Sequence, residues 1–275
     1  MKKLALTLTI LSTFCALAYA GPEPYSGKEM KQVAPVPPPC PTWTGFYVGG
    51  FGGYKFSSVD TNLDLGGLWD TQFPEGRDAL QANAPHDLNN SGFEAGGLIG
   101  YNYQWHNWVF GVEAEGGYLW AHKADNQPLV PVPNDPVDGY AFSTSFNTHY
   151  LATFAPRIGY TFCRWMPYVT GGLAVGQLDY SQNIVNILSP ALGPYTFSEG
   201  ASKTETNVGW MVGGGLEYAV SDHWRVRGQY QFIDLGSISF DTAGVGDFPT
   251  APDFTGHHEA SLREHNASFA IIYGF

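Results

Sequence analysis

The feature that most constrains this chain is the spacing between its strand-like segments. From Trp43 onward, stretches of roughly ten to fifteen residues alternate apolar and polar side chains with a period of two, the mark of β-strands. Eight are read, at about 43–57, 92–105, 107–121, 148–163, 165–180, 206–220, 223–235 and 263–275. The joins Trp105–Asn107, Cys163–Trp165 and Val220–His223 are tight turns. Those at roughly 58–91, 122–147, 181–205 and 236–262 are long and rich in Pro, Asn, Asp and Gly. Such alternation is the layout of a membrane barrel with short periplasmic turns and long outer loops. The expectation is an all-β fold: an eight-stranded antiparallel up-and-down transmembrane β-barrel with four long extracellular loops.

The two faces of the strands differ in a way that fits lipid outside and a polar lumen inside. In the third strand Trp108, Phe110, Val112 and Tyr118 share one face, and Glu113 and Glu115 the other. In the seventh, Trp224, Val226, Tyr230 and Phe232 alternate with Arg225, Arg227, Gln229 and Gln231. A soluble barrel with the faces reversed has the same pattern, so alternation alone leaves both open. Tryptophan separates them. Trp43, Trp105, Trp108, Trp165 and Trp224 all fall at the turn-side ends of strands, as one ring of an interfacial aromatic belt, with Trp120, Tyr118 and Tyr150 opposite.

The first twenty residues read as a secretory signal peptide: Lys2 and Lys3, an apolar run from Leu4 to Leu17, and Ala18-Tyr19-Ala20 as an A-x-A cleavage site. Residues 21–42, proline-rich towards their end, read as an extended periplasmic leader, and 43–275 as the barrel. Cys40 and Cys163 then fall on the same side of the membrane, where a disulfide could fold the leader under the barrel; two free thiols are the alternative. The net charge of −12, with 13 Lys and Arg spread over 275 residues, excludes nucleic acid as a partner.

Three strings carry a family resemblance. Trp43-Thr-Gly-Phe-Tyr-Val-Gly-Gly50, Pro167-Tyr-Val-Thr-Gly-Gly-Leu-Ala-Val-Gly176 and Gly209-Trp-Met-Val-Gly-Gly-Gly-Leu-Glu-Tyr218 resemble the small porin-like outer-membrane proteins. That group includes the opacity-type surface antigens and the outer membrane immunogenic proteins of Gram-negative bacteria. Phe269-Ala-Ile-Ile-Tyr273-Gly-Phe275 is similar to their terminal strand, which implies Phe275 and Tyr273 as a signal for the barrel-assembly machinery. No peptidoglycan-binding domain is expected after it.

An eight-stranded barrel is filled by its own side chains, so ions inside it must pair. Glu94, Glu113, Glu115, Arg157, Glu217, Arg225 and Arg227 are the candidates. The strand order makes Glu113 or Glu115 the partners of Arg157, and sets Glu217 against Arg225 or Arg227. A plugged lumen and a narrow charged channel are the two outcomes. His86, His122, His149, His257 and His258 fall on or near outer loops and read as solvated; haem or metal binding is the alternative. Asp60-Thr-Asn-Leu-Asp64-Leu-Gly66 departs from a calcium loop, with Leu65 at the sixth position and Thr71 at the twelfth. The cluster Ser143, Ser145 and His149 has no G-x-S-x-G around it, so no catalysis is expected. Neither a cofactor nor a metal site is assigned.

The functional expectation is a structural surface protein whose loops meet outer-membrane lipid, lipopolysaccharide, or a host or cell-surface ligand, and which supports envelope integrity. A small-solute pore and a loop-borne haem or metal binder are the other readings. The expected location is the outer membrane of a Gram-negative bacterium.

Overall fold

Ten strands, two α-helices and a 3-10 turn at Ala251–Asp253 are found in the computed structural model, which describes residues 40–275 except 85–88, 127–129, 133–134, 188–196 and 247–249. The expected signal peptide and nearly all of the leader lie outside the described residues. In chain order the elements are β1 (Gly45–Gly67), α1 (Leu68–Thr71), α2 (Pro74–Asn83), β2 (Asn90–Trp105), β3 (Trp108–Asn126), β4 (Val130–Val132), β5 (Asp135–Tyr160), β6 (Trp165–Ile187), β7 (Phe197–Ala219), β8 (Trp224–Ala243), β9 (Val245–Gly246) and β10 (Phe254–Gly274). Each long strand pairs antiparallel with the next, and β10 returns to β1 from Tyr47↔Gly274 to Gly67↔Phe254. The ring β1-β2-β3-β5-β6-β7-β8-β10 is therefore an eight-stranded closed barrel. Closure matters because an open edge in hydrocarbon would leave backbone amides unpaired. The short β4 and β9 add to β5 and β7 outside the ring.

Near the turn-side ends the barrel is apolar outside and polar inside. Phe46, Ile99, Phe110, Phe154, Ile158, Leu173, Val212, Phe269 and Ile271 are exposed, while Lys55, Glu94, Glu113, Arg157, Glu217 and Arg227 are buried. Trp105, Trp108, Trp165 and Trp224 are exposed at that end, and Trp120 and Tyr150 at the upper edge. Trp43 departs from the expected belt. It is fully buried and packs with Val109, Met166 and Ala219 to seal the base of the lumen.

Three of the four long segments expected as loops are largely strand, and the first, 58–91, is strand at its ends with α1 and α2 between. β1 runs to Gly67, β5 begins at Asp135, β6 runs to Ile187 and β10 begins at Phe254. Above the apolar band the polarity inverts: Val59, Leu63 and Leu65 of β1 point inward and Asp60, Asn62 and Asp64 outward. The barrel thus continues beyond the lipid as a soluble β-cylinder with an apolar interior. The physical reason is burial, since inward apolar residues meet each other across the ring and hold the strands together in water. This also disposes of the calcium-loop comparison, because Asp60 and Asp64 stand along a paired strand and cannot wrap an ion.

Two successive apolar fillings close this upper part. Val59, Phe146, Leu178, Met211, Ile233, Leu235 and Leu262 belong to the first. Leu63, Leu65, Trp69, Leu80, Ile184, Phe197 and Phe254 belong to the second, which α1 and α2 help to cover. Trp69 of α1 is its centre, with ring centroids 5.7 Å from Tyr140, 5.8 Å from Phe197 and 5.0 Å from Phe254.

Candidate functional site: a charged column between apolar seals

Alternation puts every second residue of each lower strand into the lumen, and the register decides which of them meet. Glu217 of β7 pairs in register with Arg227 of β8, and Gly111 of β3 with Arg157 of β5. A side chain at 111 would crowd Arg157, whose Cγ lies 3.2 Å from where its Cβ would be. Arg157 Nη1 donates to Glu217 Oε1 at 2.6 Å and to Glu113 Oε2 at 3.3 Å. Arg227 Nη2 lies 2.5 Å from Glu113 Oε2 and 2.7 Å from Glu217 Oε1. Tyr47 donates its hydroxyl to Glu113 Oε2 at 2.8 Å, and its ring lies under the Arg157 guanidinium at 4.9 Å. Two arginines and two glutamates therefore form one closed cluster in which each buried ion faces two of opposite sign, while Arg157 Nη2 and Glu217 Oε2 have no hydrogen-bond partner among the described residues.

Glu115 stands at its edge. Among the described residues its one ion contact is Arg227 Nη1 at 3.3 Å, and its other partners are amides: Gln229 Nε2 at 3.1 Å and Gln231 Nε2 at 2.9 Å. Through them the column continues upward. Asn266 Nδ2 reaches Gln231 Oε1 at 3.4 Å and Glu94 Oε2 at 2.9 Å. Lys55 Nζ then lies 3.7 Å from Glu94 and 3.0 Å from Glu264.

Several placements differ from the expected ones. Arg225 joins no carboxylate among the described residues. Its guanidinium covers the Trp43 ring at 4.6 Å and reaches the Thr42 carbonyl at 3.4 Å. One step down β8 from Arg227, it meets the N-terminal segment entering the base, and a cation–π contact takes the place of an ion pair. Lys55 and Glu264 were missed because 55 and 264 sit near the expected strand limits, where a lone charge reads as a loop residue. Cys40 and Cys163 are joined, with Cα atoms 4.8 Å apart. Beside them Trp43 Nε1 donates to the Cys163 carbonyl at 3.3 Å, and Trp43 N to Gln104 Oε1 at 2.9 Å. Tyr273 packs against Trp224 and Phe275, and Phe275 N donates to the Phe46 carbonyl at 2.9 Å.

The histidines scatter. His86 lies outside the described residues, His257 bonds Asp241 at 2.6 Å and His149 faces Asp179 at 3.2 Å. His258, expected in solvent, is fully buried in the upper cylinder. It joins Gln182 Oε1 through Nδ1 at 2.8 Å and Thr242 Oγ1 through Nε2 at 2.9 Å, and Thr242 Oγ1 lies 2.8 Å from Glu199 Oε1. Burial pushes the His258 imidazole down to about 4 and the Glu199 carboxyl up. Among the described residues no three His, Cys, Asp or Glu side chains are grouped to hold a metal ion. Ser143 spends its hydroxyl on Asn126 at 2.9 Å.

A model of the outer membrane protein beta-barrel domain matches residues 7–247. The chain belongs to that family. Among its relatives, the 31 kDa outer-membrane immunogenic protein of Brucella melitensis is 29% identical over 210 residues, 74% of this chain and 76% of the relative. The 25 kDa outer-membrane immunogenic protein of Brucella abortus is 25% identical over 250 residues, 89% and 90% of the two chains. The 22 kDa outer membrane protein of Rhizobium leguminosarum is 27% identical over 210 residues, covering 76% and 72%. Among solved structures, Ail of Yersinia pestis aligns over 84% of this chain and 99% of its own, at 11% identity and a TM-score of 0.36. Family and fold together place this barrel in the outer membrane, facing lipid with its apolar band and presenting a surface beyond it.

Proposed function

We propose that this barrel is a non-conducting, non-catalytic surface protein, whose work is done by the rigid cylinder it holds above the membrane. The observation that carries the reading is the pair of apolar fillings across the upper interior, above a charged column whose ions are paired side chain to side chain. A water path through such a lumen would have to break ion pairs below and part apolar clusters above. The base is stopped as well, by Trp43 under Arg225 and the Cys40–Cys163 link. The relatives named as immunogenic support a surface-contact role in adhesion or as an antigen, with envelope integrity as its structural side. Tyr273 and Phe275 are the residues proposed to be read by the barrel-assembly machinery.

Planar-bilayer recording tests this. Protein refolded from inclusion bodies, with folding checked by the change in gel mobility on boiling, should carry no current while a porin control does. Steady conductance steps altered by Glu113→Gln would instead establish a pore.

A further inference from the structure

Among the described residues, the lipid-facing wall has a hollow between bulky side chains of β2, β3, β5 and β6. Ala95 of β2, Gly116 of β3 and Ala152 of β5 present small faces between the exposed Phe93, Trp120, Phe154 and Leu173. The result is a groove of about 570 Å³ that opens sideways, with Gly96, Gly117, Leu151 and Gly176 behind it. Its volume is in the range of small-ligand sites. Tyr118 and Tyr150, in edge contact at 5.3 Å, stand beside it at the height of the upper aromatic girdle. Here hydrocarbon gives way to head groups.

The rim above is polar. The ladder is irregular between Tyr118 and Ala121 on β3, and between Thr148 and Leu151 on β5. That irregularity carries His149 outward, where it stacks on Tyr118 and faces Asp179 of β6. Gln177 and Thr206 line the same edge. An apolar trough thus ends under hydroxyl, amide and imidazole groups, within an otherwise apolar band.

We infer that this groove is a binding site for one acyl chain of an outer-leaflet lipid A-type glycolipid, entered from the side. The chain lies against Ala95, Gly116 and Ala152, and the acyl carbonyl or a chain hydroxyl meets Gln177, Thr206 and His149. Hydrocarbon is the medium at this height, and a void left there forfeits contacts on one side. A second barrel is a poorer occupant. Its wall is convex, so it would bridge the trough, and it would have to desolvate the His149–Asp179 pair.

Gly116 supplies a clean test, because a Cβ added there meets nothing within 4 Å. Wild-type barrel and Gly116→Phe, each refolded in detergent, are incubated with purified lipid A or with phosphatidylethanolamine and weighed by native mass spectrometry. Wild type should retain one lipid A and little phospholipid. Gly116→Phe should lose at least ten-fold of that retention with its boiling-dependent gel shift intact. Ala152→Leu, which fills the other wall, should act alike and stands in if the phenylalanine variant misfolds. Equal retention by wild type and the filled variants, or equal retention of both lipids, overturns the inference. So does a wild-type dimer that Gly116→Phe dissolves, which would make the groove a contact between copies.

Discussion

Lys55 Nζ lies 3.0 Å from Glu264 Oε2 with both side chains wholly buried, the two residues coming from the first and last strands of the ring. The pair therefore sits at the seam where the barrel closes. Lys55→Met should leave Glu264 and Glu94 without their cation, at a cost of roughly 3–5 kcal/mol, as expected when a buried pair loses one member. Urea unfolding in lipid vesicles measures it. Adding Glu264→Leu to that variant should recover part of the loss, and a midpoint unmoved by Lys55→Met would place this lysine in water.

Glu217 and Glu115 should behave differently although both line the lumen. Glu217 bonds two arginines, so Glu217→Gln should cost roughly 3–5 kcal/mol. Glu115 has two amide partners and one long contact to an arginine that Glu113 and Glu217 also hold. Glu115→Gln should cost about 1 kcal/mol, the scale of one net hydrogen bond. Equal losses in the two unfolding curves would contradict the cluster as described.

At the base, the link between Cys40 and Cys163 spans 123 residues of sequence and holds Trp43 in its pocket. Cys40→Ser should free residues 40–44 and let Trp43 leave the lumen. The expected loss is roughly 2–4 kcal/mol, with a red-shifted tryptophan emission that Trp43→Phe removes. Emission unchanged by reduction would mean that packing under Arg225 suffices alone.

The upper cylinder should loosen in acid. His258 is neutral in the folded cap, where burial holds it down to about 4, against about 6.5 when free. A depressed value favours the folded cap above pH 6.5. The advantage is lost progressively as pH falls to about 4, a change of roughly 3 kcal/mol. Glu199, pushed up by burial, acts in the opposite sense: its contribution fades as pH rises through its own elevated value. Protection factors in β10 around His258 and in α1, that is observed exchange rates divided into the slower intrinsic rates of acid, should therefore fall between pH 6.5 and 4, while those of the lower strands hold. His258→Gln should remove the acid step, and its persistence would assign the step elsewhere.

Strand count, ring order and the membrane band were legible because period-two alternation and four of the five turn-side tryptophans follow directly from lipid outside and polar groups within. The upper cylinder was not, although Val59-Asp60-Thr61-Asn62-Leu63-Asp64-Leu65 alternates as cleanly as any lower strand. Its polar residues face out and its apolar ones in, the reverse of the membrane part, so the pattern expected of lipid-facing strands does not extend to it. The ion-pair partners depended on register. Arg225 and Arg227 are indistinguishable in sequence, and two residues of strand send one to Trp43 and the other to three glutamates. His258 was hidden for a similar reason, since adjacent histidines on a strand point to opposite sides and only one can be wet.

Because strands carry through the lipid into the cylinder without a break, what this protein shows outside the cell is an architecture more than a set of pliable tethers. Its outward residues are spaced by the strand repeat and by the distance between neighbouring strands. Antibodies raised against the native molecule should thus recognise side chains gathered from several strands at once, such as Asp64, His257 and Asp241 across β1, β10 and β8. They should fail on boiled protein and on synthetic peptides copied from any one segment.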